Sequence, residues 1–153
     1  MATPAALARG LLLFWALWLS VVTASNAVDA LQAAGVLAPG STFASGNFAL
    51  VAETLTIYSL PQACAAVLFA LVLLLEGAAS ALFGRAALDP QPPKVIAAFL
   101  VAIGLFCAFL VFDEVLLVYR RFPNLETTHF TVLGALLLSW LVIHQLRERE
   151  GIA

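Results

Sequence analysis

Charge is what this sequence most lacks. Seven Lys and Arg and nine Asp and Glu stand among 153 residues, 10% of the chain against 63% hydrophobic residues. A soluble domain carries about 25% charged residues, so this composition excludes one. The formal charge of -2 is too small to demand a partner of opposite sign. With no basic patch to neutralise phosphates, nucleic acid is excluded as a partner.

Metal-binding and catalytic signatures are equally scarce. The two cysteines, Cys64 and Cys107, lie inside apolar runs with no CxxC spacing, and read as small core residues rather than a disulfide or a metal clasp. Only two histidines are present, His129 and His144. His129 follows Glu126 by three residues and His144 precedes Glu148 by four, but the pair of Glu-x-x-His motifs, one on each of two helices, that marks carboxylate-bridged di-iron bundles is missing. A two-histidine zinc motif, a Gly-rich phosphate loop, a serine nucleophile elbow and paired axial histidines for haem are all missing.

What the chain has is four apolar segments, each long enough at ~1.5 Å per residue to cross ~30 Å of hydrocarbon. The spacing predicts helices over about 7–34, 61–87, 95–120 and 126–147, in one integral membrane domain covering 1–153. The first segment also has features of a signal peptide: a basic start at Arg9, an apolar centre, and small residues at Val22, Thr23 and Ala24. Between the first two segments, Pro39, Gly40 and Gly46 announce a loop. From Asn47 to Leu60, Phe48, Val51, Leu55 and Tyr58 recur at steps of three and four. That pattern predicts an amphipathic surface helix, or a lid over the bundle mouth that carries Glu53, although a single helix kinked at Pro61 would fit as well. Leu88–Lys94, with three prolines, reads as a tight turn, and Thr127 or Thr128 as a start for the last helix. The expected fold is all-α: a polytopic, antiparallel four-helix transmembrane bundle with a short extracytoplasmic amphipathic helix between helices one and two.

Orientation follows from Arg and Lys. With the N-terminus cytoplasmic, Arg9, Arg85, Lys94, Arg147 and Arg149 share one side, and Arg120 and Arg121 the other. The positive-inside rule therefore places both termini in the cytoplasm, at the inner membrane if the source is bacterial.

The acids inside the apolar segments are the informative residues, because each costs about 3 kcal/mol at the centre of a bilayer-spanning helix. Phe99–Tyr119 carries adjacent Asp113 and Glu114. Glu76 sits near the middle of the second segment with Ser80 one turn on, so it is either neutral and hydrogen-bonded or paired with a cation. Ser20, Thr23, Asn26 and Asp29 recur at three-residue steps along one stripe of the first. Gly77, Ala81 and Gly84 form a small-residue face for close helix approach. In the antiparallel arrangement Asn26, Asp29, Asp113, Glu114 and His129 all fall toward the outer leaflet. Such a set can ligate a divalent metal ion, relay protons or accept a cation. Asp113, Glu114, His129 and Asp29 are the candidate metal ligands, with Asn26 and Glu76 as further intramembrane polar groups. Since adjacent helical residues diverge by ~100°, Asp113 is taken as the member facing the bundle. Asp113 also lies seven residues from Arg120, as Glu114 does from Arg121, so the acids could equally serve as structural ion pairs.

Three functions fit this chain. The leading one is a small accessory or assembly subunit packed against a larger membrane complex. The second is a metal-binding or redox and proton-relay protein using the outer carboxylates and His129. The third is a homo-oligomeric cation transporter or channel. The lipid bilayer is a partner in all three, joined by other membrane subunits or copies of the chain itself.

Overall fold

A computed structural model describes residues 3–118 and 122–149. The chain is all-α, in the order α1 (Pro4–Ala33), α2 (Asn47–Leu55), a 3-10 turn (Thr56–Tyr58), α3 (Gln62–Leu88), α4 (Pro92–Val115) and α5 (Pro123–Arg149). Four of these helices, α1, α3, α4 and α5, are long and apolar enough to cross a membrane, which is compatible with an integral membrane protein.

Local chemistry sets where each helix starts and stops. The Thr3 side chain accepts from the Ala6 amide at 3.2 Å, and Pro4 occupies the first turn, where its missing N–H costs nothing. At the other end Gly35 turns left-handed, with φ of 72°. The Val36 and Gly35 amides then return to the Leu31 and Gln32 carbonyls, a Schellman stop. The segment expected as one helix over 47–60 changes to a 3-10 turn after Leu55, and Ser59, also left-handed, separates it from α3. A continuous helix kinked at Pro61 is thereby replaced by two elements.

Two boundaries of α4 differ from the sequence reading. Pro92 and Pro93 fit the first turn, so the helix begins there and the turn shrinks to Asp89–Gln91. It ends at Val115 because Leu117 adopts a left-handed φ of 53°, well short of residue 120. The fourth apolar helix begins at Pro123, ahead of Thr127 and Thr128. The Thr128 hydroxyl accordingly donates back to the Asn124 carbonyl at 2.9 Å instead of capping.

The four long helices form a ring of contacts: α1 packs on α3, α3 on α4, α4 on α5, and α5 on α1. At one end each contributes an aromatic ring to a continuous chain. Trp15 lies 6.4 Å from Phe83, Phe83 lies 4.9 Å from Phe99, and Phe99 lies 5.3 Å from Trp140. Alanines 79, 86, 98 and 102 fill the space between them and are fully enclosed. The close-packing face of α3 is therefore Ala79, Phe83 and Ala86, whereas Ala81 is exposed and a Cβ at Gly84 would meet nothing. Cys107 is exposed and Cys64 half-buried, so neither occupies the core position read from the sequence.

Polar contacts fix the register. The Ser20 and Ser80 hydroxyls sit 2.7 Å apart, both within reach of the Ala16 carbonyl. Two turns further along α1, Asn26 meets Glu76. As α1 advances, its partners on α3 recede. Trp15 Nε1 donates to Ser139 of α5 at 3.0 Å. At the aromatic end Arg147 Nη1 donates to the Pro90 carbonyl at 2.8 Å. Asp89 pairs with Lys94 across the same turn.

Candidate functional site

The buried polar side chains collect at the opposite end, where α2 lies against α1 and α3. Asn26 is the hub. Its amide nitrogen donates to both oxygens of Glu76, at 3.0 and 2.9 Å, and its carbonyl oxygen accepts from Asn47 of α2 at 2.9 Å. Three helices are thus tied by one side chain. Glu76 is 4% exposed and finds an amide rather than a cation as its partner. Asp29, one turn on, takes the Phe48 amide at 2.7 Å and the Ser45 hydroxyl at 3.1 Å. The helix start at Gly46 has no side-chain cap of its own, so α1 supplies the acceptor from outside.

Across the same end, Nδ1 of His129 on α5 lies 2.6 Å from Oδ2 of Asp113 on α4. Asp113 is 3% exposed. The imidazole stacks on Phe109, with centroids 4.9 Å apart, and meets Phe106 at an angle. One nitrogen is tied to a carboxylate and one face is covered, so the ring has little freedom to turn. This is the arrangement by which carboxylates orient imidazoles in metal and acid–base sites.

Between the two polar groups lies a cavity of about 300 Å³. Asn26, Asn47, Glu76, Asp113 and His129 all line it, while the rest of its wall is mainly apolar and aromatic, including Trp18, Phe69 and Phe106. No Lys or Arg is among the described residues that line it. From α2, Leu50, Val51 and Thr54 face the space beside Asn47.

The geometry sorts the residues singled out in the sequence. Asp113 and His129 are brought together, as are Asn26 and Glu76, and all four share the cavity. Asp29 is engaged with the start of α2 and is not among the cavity residues. Glu114 is exposed, turned away by the helical rotation that buries its neighbour Asp113. Of the four candidate ligands Asp113, Glu114, His129 and Asp29, the fold brings Asp113 and His129 into contact, and among the described residues no group of three or more His, Cys, Asp or Glu converges. Glu53 is exposed and outside the cavity wall, so the side chains that α2 presents to the cavity are different ones. His144 is exposed, 3.5 Å from Glu148. Arg120 and Arg121, the alternative partners for the acids, lie outside the described residues.

The sequence reading passed over Asn47, Ser45 and the aromatic wall. Asn47 stands directly after Gly46 at a helix start, where its amide is available to a neighbouring helix. Trp18, Phe106 and Phe109 are indistinguishable from lipid-facing residues in a chain this apolar.

Comparison with protein families, with curated proteins and with solved structures finds no match to this chain. The fold and the furnished cavity therefore define a class, a helical bundle suited to a bilayer with a polar interior at one end, and function has to be argued from the site.

Proposed function

We propose that the chain is an integral membrane protein that works as a proton relay, with Asp113 and His129 as its working pair in the outer-leaflet half of an antiparallel bundle. The observation that carries this reading is the 2.6 Å contact between them at the wall of a largely apolar cavity. With Nδ1–H donated to the carboxylate, Nε2 is left to accept a proton from whatever occupies the cavity. Asp113 then stabilises the imidazolium that results.

The receding partners along α1 and α3, and the Arg147–Pro90 contact, support the antiparallel arrangement. The distribution of Arg and Lys supports cytoplasmic termini. We take α2 as an amphipathic lid, with Leu50 and Val51 toward the cavity and Glu53 outward. The accessory-subunit role draws on no feature of this interior. A cation path between copies would call on Glu76, whose inward hydrogen bond to Asn26 favours the relay instead.

Nitrogen NMR of histidine-labelled protein in lipid nanodiscs tests the relay, with His144→Gln identifying the His129 signals. The expected spectrum has His129 protonated at Nδ1, and Asp113→Asn shifts it. A His129 carrying its proton on Nε2, indifferent to Asp113→Asn, would overturn the reading.

A further inference from the structure

The cavity itself indicates what the pair acts upon. Its wall offers no cationic side chain among the described residues, so a phosphate or carboxylate headgroup would enter without compensation. Both of its acids are 3–4% exposed, Glu76 bonded to Asn26 and one Asp113 oxygen to His129, so an ammonium group would meet little open carboxylate surface. Nε2 of His129 is open to an occupant: no described residue is hydrogen-bonded to it. The His129 side chain keeps 16% of its surface open. With Nδ1–H committed to Asp113, Nε2 is an acceptor and requires a donor from its occupant.

The remaining wall selects shape. Trp18, Phe69, Phe106 and Phe109 give flat apolar faces, which favour an aromatic ring in offset or edge contact. About 300 Å³ is the small end of ligand-binding cavities, room for a ring and short substituents.

We infer, building on the relay reading, that the cavity binds a neutral lipophilic phenol or hydroquinone head, its hydroxyl donating to His129 Nε2 and its ring lying against the Phe106–Phe109 wall. The hydroxyl proton has a direct route to Nε2. If it crosses, the O–H bond breaks, the N–H bond forms, and a phenolate–imidazolium pair is left beside Asp113 with no change of oxidation state.

The test uses full-length protein in nanodiscs titrated with an alkyl-substituted hydroquinone, with its dimethyl ether, and with a lipophilic quaternary ammonium of similar size. The readouts are the His129 Nε2 resonance and tryptophan fluorescence. The hydroquinone is expected to shift Nε2 saturably and to bind roughly tenfold more tightly than the ether, the worth of one hydrogen bond in an apolar site. His129→Asn should bring the ratio of hydroquinone to ether affinity to about one, the ratio being the readout. Equal binding of hydroquinone and ether, preference for the ammonium, or no binding of any would each overturn the inference. The ligand-free tautomer judges the relay separately: a protein with Nδ1–H in place and no hydroxyl preference loses the ligand and keeps the relay.

Discussion

Asn26 and Glu76 meet across the α1–α3 contact with a single amide nitrogen placed between two carboxylate oxygens, at 3.0 and 2.9 Å. Removing one partner strands the other in an apolar interior, whereas removing both strands neither. Asn26→Leu should destabilise the protein by about 1–3 kcal/mol. Glu76→Gln, which keeps the shape and the capacity to accept, should fold and accumulate like the parent. The double variant Asn26→Leu/Glu76→Leu should recover most of the loss. Thermal unfolding in mild detergent measures all three. A Glu76→Gln protein that fails to accumulate would show that the charge itself is required.

Asp29 holds the first turn of α2 from outside that helix. Asp29→Ala should loosen α2 while leaving α3 and α4 intact, at a cost near that of a lost helix cap, about 1 kcal/mol. Hydrogen exchange at the Phe48 amide reports it directly. Unchanged protection there would mean that Asn47 and the packing of α2 suffice without Asp29.

Gly77 lies where α1 and α3 come close, and a Cβ there would stand 3.7 Å from the Thr23 methyl group, ordinary contact. Gly77→Ala should therefore be tolerated, or stabilising by up to about 1 kcal/mol through helix propensity. Gly77→Leu should be destabilising, by about 1–3 kcal/mol from overpacking. Equal stability of the leucine variant would mean that the two helices can separate at this point without loss.

Topology can be tested at Thr42, in the exposed loop between α1 and α2. In a chain with Cys64 and Cys107 replaced by alanine, Thr42→Cys should react with an impermeant maleimide from outside the cell, and a reporter fused after Ala153 should be cytoplasmic. The reverse pattern would invert the bundle and assign the cavity to the cytoplasmic leaflet.

Much of the interior was legible because acids are rare in this chain and expensive in hydrocarbon. That cost singled out Glu76 and Asp113, the three-residue stripe on the first helix added Asn26, the antiparallel depth added His129, and helical rotation chose Asp113 over Glu114. The partnering was less legible. A three-residue step puts Asp29 on the stripe with Asn26, yet only the path of the loop sends its carboxylate to Phe48 instead of to His129. The α4 boundaries escaped for local reasons: two prolines suit a first helical turn as well as they suit a link, and nothing in the composition around Leu117 marks a left-handed residue. Glu53 was chosen for its charge, whereas the surface that α2 turns inward is set by Leu50, Val51 and Thr54.

The hydrogen-bond partners also divide the chain for its own biogenesis. Asn26, Asp29 and Glu76 are each satisfied by residues no later than Glu76, among them Ser45, Asn47 and Phe48. Among the described residues Asp113 is partnered by His129, sixteen residues on. A nascent chain released into lipid after Leu88 would already have a partner for every buried acid it carries, and the second pair of helices would bring its own. The earlier half has no buried charge that must wait for the later one. In a bilayer, that order of completion would let insertion proceed one hairpin at a time, with the cavity formed when the two halves close.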